Sequence, residues 1–370
     1  MKKNISLKNN LLFKKTVALY NPYLDVLGGG EKHILSILKV LSDKGMKITV
    51  FFNKNLEKEI KERFNLDFSD QIKWLSDLRN YSFFQKLLIL KNFDYFFYVT
   101  DGSYFFSSAK KNYVFAMAPN KNLYQLQGLN RLKLFNFQFV SNSPFTASWL
   151  KRWGIKSTVI PPYIDDIFFN VNNKKKETLI LMVGRFYSQL HNKNHFLAIK
   201  LFKKIKQKFP VFKKFKLILA GGLKKEDKDY FNNLKKITLG NSDIILKPNI
   251  SFEKLLDLYG KSKYFWHFTG YGINEEKEPE RAEHFGIAPL EAAASGSLVF
   301  CHQSGGPKLI FQHKVNGFLF NNEEEIIKEM INLEKNHLLV KKVINEGKKM
   351  VKENYGYQVF RNKVLKLIKN

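Results

Sequence analysis

"TVALYNPYLDVLGGGEKHILSILKVLSDKGMKITVFF", residues 16–52, decides the fold class. Its two ends, TVALY (16–20) and KITVFF (47–52), are short runs rich in β-branched and aromatic residues, the composition of buried strands. Between them EKHILSILKVLSDKG (31–45) sets Ile34, Leu35, Ile37, Leu38 and Leu41 at the spacing of one buried helix face. Strand, helix and strand in that order make a βαβ unit, and such units build parallel sheets.

The same alternation runs through most of the chain. DYFFYV (94–99), NYVFAM (112–117) and FQFV (137–140) are further strand candidates. Pro161, Pro162 and the polar stretch NVNNKKKE (170–177) then interrupt the series; proline forces extended backbone before it, which reads as a hinge. The series restarts with TLILMVG (178–184), a helix at 195–209, KLILAGG (216–222), a charged helix near 225–238, DIILK (243–247), a helix at 252–261 and FWHFTG (265–270). The expected organisation is therefore α/β, two Rossmann-like doubly wound domains, 1–162 and 163–350, followed by a helical segment 351–370. A length of 370 residues also favours two cores over one.

Composition excludes several classes. At 44% hydrophobic and 15% aromatic residues the chain can form a sizeable core. One cysteine, Cys301, rules out a disulfide framework and fits a reducing, cytoplasmic setting. The apolar run at the start is broken by Lys14 and Lys15, so no export signal is expected, and no run of about 18 apolar residues predicts a membrane-spanning helix. The net charge of +29 splits into +14 over residues 1–163 and +15 over the rest, with no basic tail, which disfavours a nucleic-acid-binding protein. One local bias stands out. From Gly102 to Ile164 there is no acidic residue, yet Lys110, Lys111, Lys121, Arg131, Lys133, Lys151, Arg152 and Lys156 lie there. That segment predicts a positive face suited to an anionic membrane surface or acceptor.

Three stretches carry chemistry. LGGGEKH (27–33) does not meet the dinucleotide fingerprint, but its glycines and following helix could approach an anion or a sugar hydroxyl. VGRFYSQLHNKNH (183–195) follows the first strand of the second series, and Arg185 and Lys193 there could hold a diphosphate at the carboxyl end of a parallel strand. AEHFGIAPLEAAASGS (282–297) predicts a helix from about 288 to Ser295, with Glu283 before it, Glu291 within it, and the Gly286 and Ile287 amides at its start. Carboxylates accept hydrogen bonds from vicinal hydroxyls, so this arrangement suits a nucleotide sugar. The DKD at 227–229 reads as a solvated helix face, and no His, Cys or Glu spacing suggests zinc, so no metal and no other cofactor is expected.

EHFGIAPLEAAASG resembles the E-x7-E signature of family-4 retaining glycosyltransferases of the GT-B fold, and GGGEKH, SNSPFTASWLKRWG, VIPPYID, VGRF with HNKNH, LILAGG and SGGPKLIFQHKVNGFLF occur in the order of that family. The resemblance implies two domains facing a central cleft, with the last helix returning to the first domain. It implies hexose transfer from a UDP- or GDP-sugar to a glycan or lipid-linked acceptor in polysaccharide or glycolipid synthesis; with the positive face of 102–164, the expected setting is cytoplasmic, with peripheral contact at the inner face of a membrane. It gives Glu283 to the transferred sugar, Arg185 and Lys193 to the diphosphate, and Glu291 to the ribose. Gly184, Phe285, Gly286 and Ile287 would line the donor, with Gly29 and Gly30 closing over it. VFAMAPN (114–120) departs from the family in lacking a histidine near the sugar, for which His33, His267 and His284 are alternatives. KPNIS (247–251) is a candidate contact for the base. A non-catalytic sugar-nucleotide-binding protein of the same fold is the rival reading.

Overall fold

The computed structural model describes residues 15–171, 175–188 and 192–369. Contacts divide the chain into two compact units, one of residues 1–160 with 361–370 and one of residues 161–360.

The first unit is built on a seven-stranded parallel sheet: β1 (Thr16–Tyr20), β2 (Lys47–Phe51), β3 (Lys73–Leu75), β4 (Tyr95–Tyr98), β5 (Lys111–Ala116), β6 (Phe137–Ser141) and β7 (Ser157–Val159), in the order β3-β2-β1-β4-β5-β6-β7. The helix between β1 and β2, Gly29–Ser42, buries Ile34, Leu35, Ile37, Leu38 and Leu41, the face its spacing predicts. The glycines lie differently from expectation. Gly28 is the N-cap and Gly29 and Gly30 are already in the first helical turn, because the Glu31 carboxylate folds back to accept from the Gly28 amide at 2.8 Å. The helix Tyr357–Lys369 completes this unit, with the hydroxyls of Tyr95 and Tyr113 donating to the carbonyls of Ile368 and Leu367 at 3.1 and 3.2 Å.

The second unit holds β8 (Glu177–Val183), β9 (Lys216–Gly221), β10 (Ile244–Pro248), β11 (Ser262–His267), β12 (Leu298–His302) and β13 (Phe318–Phe320) in the order β10-β9-β8-β11-β12-β13, all parallel. Alternate residues feed two cores. Ile180 and Met182 join Phe202, Trp266 and Phe300 on one face, while Leu179 and Leu181 join Phe265, Leu290 and Val299 on the other. Covered on both faces, these strands read as continuous apolar runs. In both sheets the strand order reverses, between β1 and β4 and between β8 and β11. Such a reversal opens a crevice at the carboxyl ends of the two strands.

Candidate active site

The β8/β11 reversal collects the candidate residues of the second unit. Gly184 and Arg185 leave the carboxyl end of β8, His267 ends β11, and Glu283 lies on the loop that leads from β11 to the helix Ile287–Ala294. The turn after β8 is tightly packed. A Cβ on Gly221 would lie 1.8 Å from the Gly184 carbonyl oxygen, and one on Gly184 would lie 2.5 Å from Cγ of Lys193. Only glycine lets those two strand ends touch while the Lys193 stem lies across them.

Lys193 reaches inward from the residue before Asn194, which sits in the left-handed region at φ 57° and donates its side-chain amide to the Phe268 carbonyl at 2.9 Å. The Lys193 ammonium meets Glu283 Oε2 at 2.7 Å, both side chains being more than four-fifths buried. His267 Nε2 lies 3.1 Å from the same oxygen. Burial pushes the His267 imidazole below its ordinary value, and the neighbouring carboxylate offsets this only in part. The acid therefore has one full positive charge against it and one neutral ring.

The Glu283 loop is held from behind by SGGP (304–307). The Gly306 amide donates to the Glu283 carbonyl at 2.6 Å, and a Cβ on Gly305, at φ +60°, would lie 2.1 Å from that carbonyl oxygen. Gly286, at φ +96°, turns the chain into the helix, which spans Ile287–Ala294 with Ser295 as its C-cap. Its first amides point out of the helix end with no partner one turn earlier, and the positive end of the dipole lies with them. Within that helix Glu291 accepts the Tyr259 hydroxyl at 2.8 Å. Burial, and then Glu291, raise the Tyr259 hydroxyl far above its ordinary value, so it stays a donor. The Phe285 side chain is buried against Tyr355, ring centres 5.4 Å apart, and anchors the loop in the core.

Lys193, Glu283 and Gly184 thus meet, and a Cβ on Gly286 would lie 3.6 Å from the Glu283 side chain. Ile287 is half-buried against the core that holds Leu290. Arg185 is exposed and stacks on the Tyr187 ring, its guanidinium 4.6 Å from the centroid. Gly29 and Gly30 belong to the first unit, where a Cβ on Gly30 would lie 2.4 Å from the Met117 sulfur. Of the three histidines weighed, His267 is beside Glu283, His284 contacts the Glu280 carbonyl at 3.0 Å, and His33 is buried edge-on to Phe115. Asn249 of KPNIS, at φ 50°, accepts the Leu223 amide at 2.8 Å and fixes that turn to the loop after β9. Tyr259, Tyr187 and Gly305 were not singled out as site residues in the sequence. Tyr259 and Gly305 are joined to it by packing across 32 and 22 residues of sequence, and Tyr187 by the Arg185 guanidinium two residues before it.

Among the described residues no group of three or more His, Cys, Asp or Glu side chains is arranged to hold a metal ion, and no helix is long and apolar enough to cross a membrane.

Residues 164–350 match the family model of glycosyl transferases group 1. The GDP-Man:Man(3)GlcNAc(2)-PP-Dol alpha-1,2-mannosyltransferases of Mus musculus and Homo sapiens are 31% and 32% identical over 201 and 202 residues, half of this chain and 38% of theirs. The matched stretch is thus well under two thirds of the length of those curated relatives. Among solved structures, a glycosyltransferase from Rickettsia africae aligns over 96% of this chain and 98% of its own at 18% identity and a TM-score of 0.73. An Anabaena protein solved in complex with UDP aligns over 96% and 99% at 13% identity and a TM-score of 0.72. These likenesses place the two parallel-sheet units in the GT-B fold. With the family model matched across the unit that carries Lys193, Glu283 and Glu291, the chain belongs to the group 1 glycosyltransferases.

Proposed function

We propose that the protein moves a hexose from a nucleotide diphosphate sugar to a hydroxyl of a glycan or lipid-linked acceptor, with retention of configuration and without a metal. The observation that carries this reading is the Lys193–Glu283 pair at the β8/β11 switch point, next to the start of the helix Ile287–Ala294. An ammonium has three donors, so Lys193 can keep Glu283 and still face a diphosphate. Negative charge growing on the departing diphosphate is met by Lys193, by Arg185 once it leaves Tyr187, and by the Gly286 and Ile287 amides at the positive helix end. This is charge stabilisation by fixed protein groups. Gly184 keeps the backbone out of the way of the phosphates, and Phe285 keeps the loop rigid.

Glu283, oriented by Lys193 and His267, takes a hydroxyl of the transferred sugar. Glu291, oriented by Tyr259, takes the ribose hydroxyls. The bond from the anomeric carbon to the diphosphate breaks with its electron pair on the phosphate. The acceptor oxygen bonds to that carbon from the same face, and its proton passes to the departing phosphate. The curated relatives carry GDP-Man and a lipid-linked acceptor in their names, which supports GDP-mannose as the first donor to test. The setting proposed is the cytoplasmic face of a membrane, in glycolipid or polysaccharide assembly.

The test is a thermal-shift screen of UDP-, GDP- and ADP-sugars, followed by transfer from any donor that stabilises the fold and by NMR of the product anomer. Stabilisation by one donor, transfer to a hydroxyl acceptor and an unchanged anomeric configuration are expected. Failure of every donor to bind, or an inverted product, would overturn the reading.

A further inference from the structure

The second unit holds a cavity of about 800 Å³ that lies apart from the Lys193–Glu283 pair. Six lysines line it: Lys175 and Lys176 ahead of β8, Lys214 and Lys216 at the approach to β9, Lys247 on β10, and Lys261 at the end of the helix Phe252–Lys261. Most of the lining therefore comes from the amino ends of β8 and β9. Gly184 and Arg185 leave the other end of β8, seven residues or about 20 Å of strand further on. Only Lys247 belongs to a stretch read for the donor, KPNIS (247–251).

The sheet brings these cations together. Lys216 pairs in register with Leu179, and the Thr178 hydroxyl donates to the Lys214 carbonyl at 3.1 Å, which ties the starts of β8 and β9. The apolar part of the lining is Leu179, Ile218, Ile245 and Leu258. The Lys176 ammonium is fixed at the wall by the carbonyls of Ser295 and Tyr259, at 2.7 and 3.2 Å. Burial, reinforced by Lys348, depresses it to about 7, so a neighbouring anion would favour its charged form. The acids of the lining are Glu177 and Asp257, 3.9 and 2.9 Å from the Lys261 ammonium. Against six lysines they leave an excess of four basic side chains around one hollow.

We propose that this cavity binds a compact anion carrying two or more phosphate groups, at a site separate from the one that takes the sugar donor. Its volume falls within the range of small-molecule sites, roughly 300–1,000 Å³. Ammonium groups act as point charges and meet phosphate oxygens from several directions at once. A single phosphate would leave part of the excess charge unmatched, whereas two or three would balance it. None of the described lining residues is aromatic, so a nucleobase would find no ring to stack on. That favours an inorganic polyphosphate or a sugar bisphosphate over a nucleotide. The inference stands apart from the transfer reaction, since it uses none of the residues given a role there.

Titration calorimetry of the full chain with tripolyphosphate and with fructose 1,6-bisphosphate, at constant ionic strength, tests it, and the tighter ligand identifies the source of the phosphates. A Kd below about 100 µM is expected for at least one of them. The K175Q/K214Q/K216Q variant changes three exposed side chains and leaves Lys193 and Arg185 in place. It should bind at least tenfold more weakly. The K328Q/K341Q/K342Q variant, which removes three exposed lysines elsewhere in the same unit, should bind as wild type does. Circular dichroism establishes folding, and should the first triple variant not fold, Lys216→Gln alone, expected to bind at least threefold more weakly, decides. Three results would overturn the proposal: no binding of either ligand, undiminished binding by K175Q/K214Q/K216Q, which would place the anion at the transfer site, or equal losses in both triple variants, which would reduce the effect to net charge.

Discussion

Lys193 and Glu283, ninety positions apart in the chain, are joined by a 2.7 Å ion pair inside the second unit. Neither side chain is at the surface of a helix where such pairs are cheap to change, and removing one partner leaves the other largely buried without its counter-charge.

Glu283→Ala and Lys193→Ala should each lower transfer by at least a hundredfold, on the order of 3 kcal/mol of transition-state stabilisation. Because the two side chains share one interaction, the double variant should lose far less than the product of the single losses. Steady-state kinetics of the four proteins check this, and multiplicative losses would separate the two residues functionally.

Tyr259→Phe removes the donor that orients Glu291 and leaves a half-buried carboxylate oxygen without it. The expected result is a several-fold higher KM for the donor with a smaller change in kcat, and about 1–2 kcal/mol of lost stability. Glu291→Ala should raise KM more than it lowers kcat. A variant that lowers kcat alone would count against the ribose role.

Gly305→Ala would place a methyl group 2.1 Å from the Glu283 carbonyl oxygen, at a φ of +60° that alanine resists. Relief of that clash must move the Glu283 loop. Stability should fall by about 1–3 kcal/mol, and turnover of the folded fraction should fall further than donor binding. Denaturant melts alongside kinetics would separate the two.

Lys176 supplies a pH test. Its ammonium donates to the carbonyls of Ser295 and Tyr259 at 2.7 and 3.2 Å, while burial, reinforced by Lys348, pushes it from 10.5 down to about 7. With the folded value depressed, the unfolded chain binds more protons between about 7 and 10.5, so this group's contribution to stability rises with pH across that window. The stability of wild type relative to Lys176→Met should increase from pH 7 toward pH 10 by at most about 1.4 kcal/mol per pH unit. A difference flat in pH would show that Lys176 keeps its proton in the folded state.

The strands and helices that surround the site were legible because buried parallel strands are written as continuous apolar runs and their helices as one apolar face. TVALY, KITVFF, TLILMVG and KLILAGG all became strands at or within two residues of their expected limits. The short β3, β7 and β13, three residues each, carry too little pattern to be told from loop. The apolar spacing starts the first helix at Glu31, whereas the helix begins at Gly29. The Glu31 carboxylate caps the helix earlier than its apolar spacing suggests, and polar capping leaves no hydrophobic period to read. Glu283, Lys193 and Glu291 were visible by type and by motif. Tyr259 and Gly305 act through contacts 32 and 22 residues away in sequence, which no local pattern encodes.

The tyrosines of β4 and β5 donate to carbonyls 273 and 254 residues further along the chain. A nascent chain emerging from a ribosome can therefore pair all seven strands of its first sheet early but gain the helix Tyr357–Lys369 that packs on them only after the second unit has been made. Loss of a few residues near position 368 should then be felt as loosening around Tyr95 and Tyr113, more than 250 residues earlier in the chain.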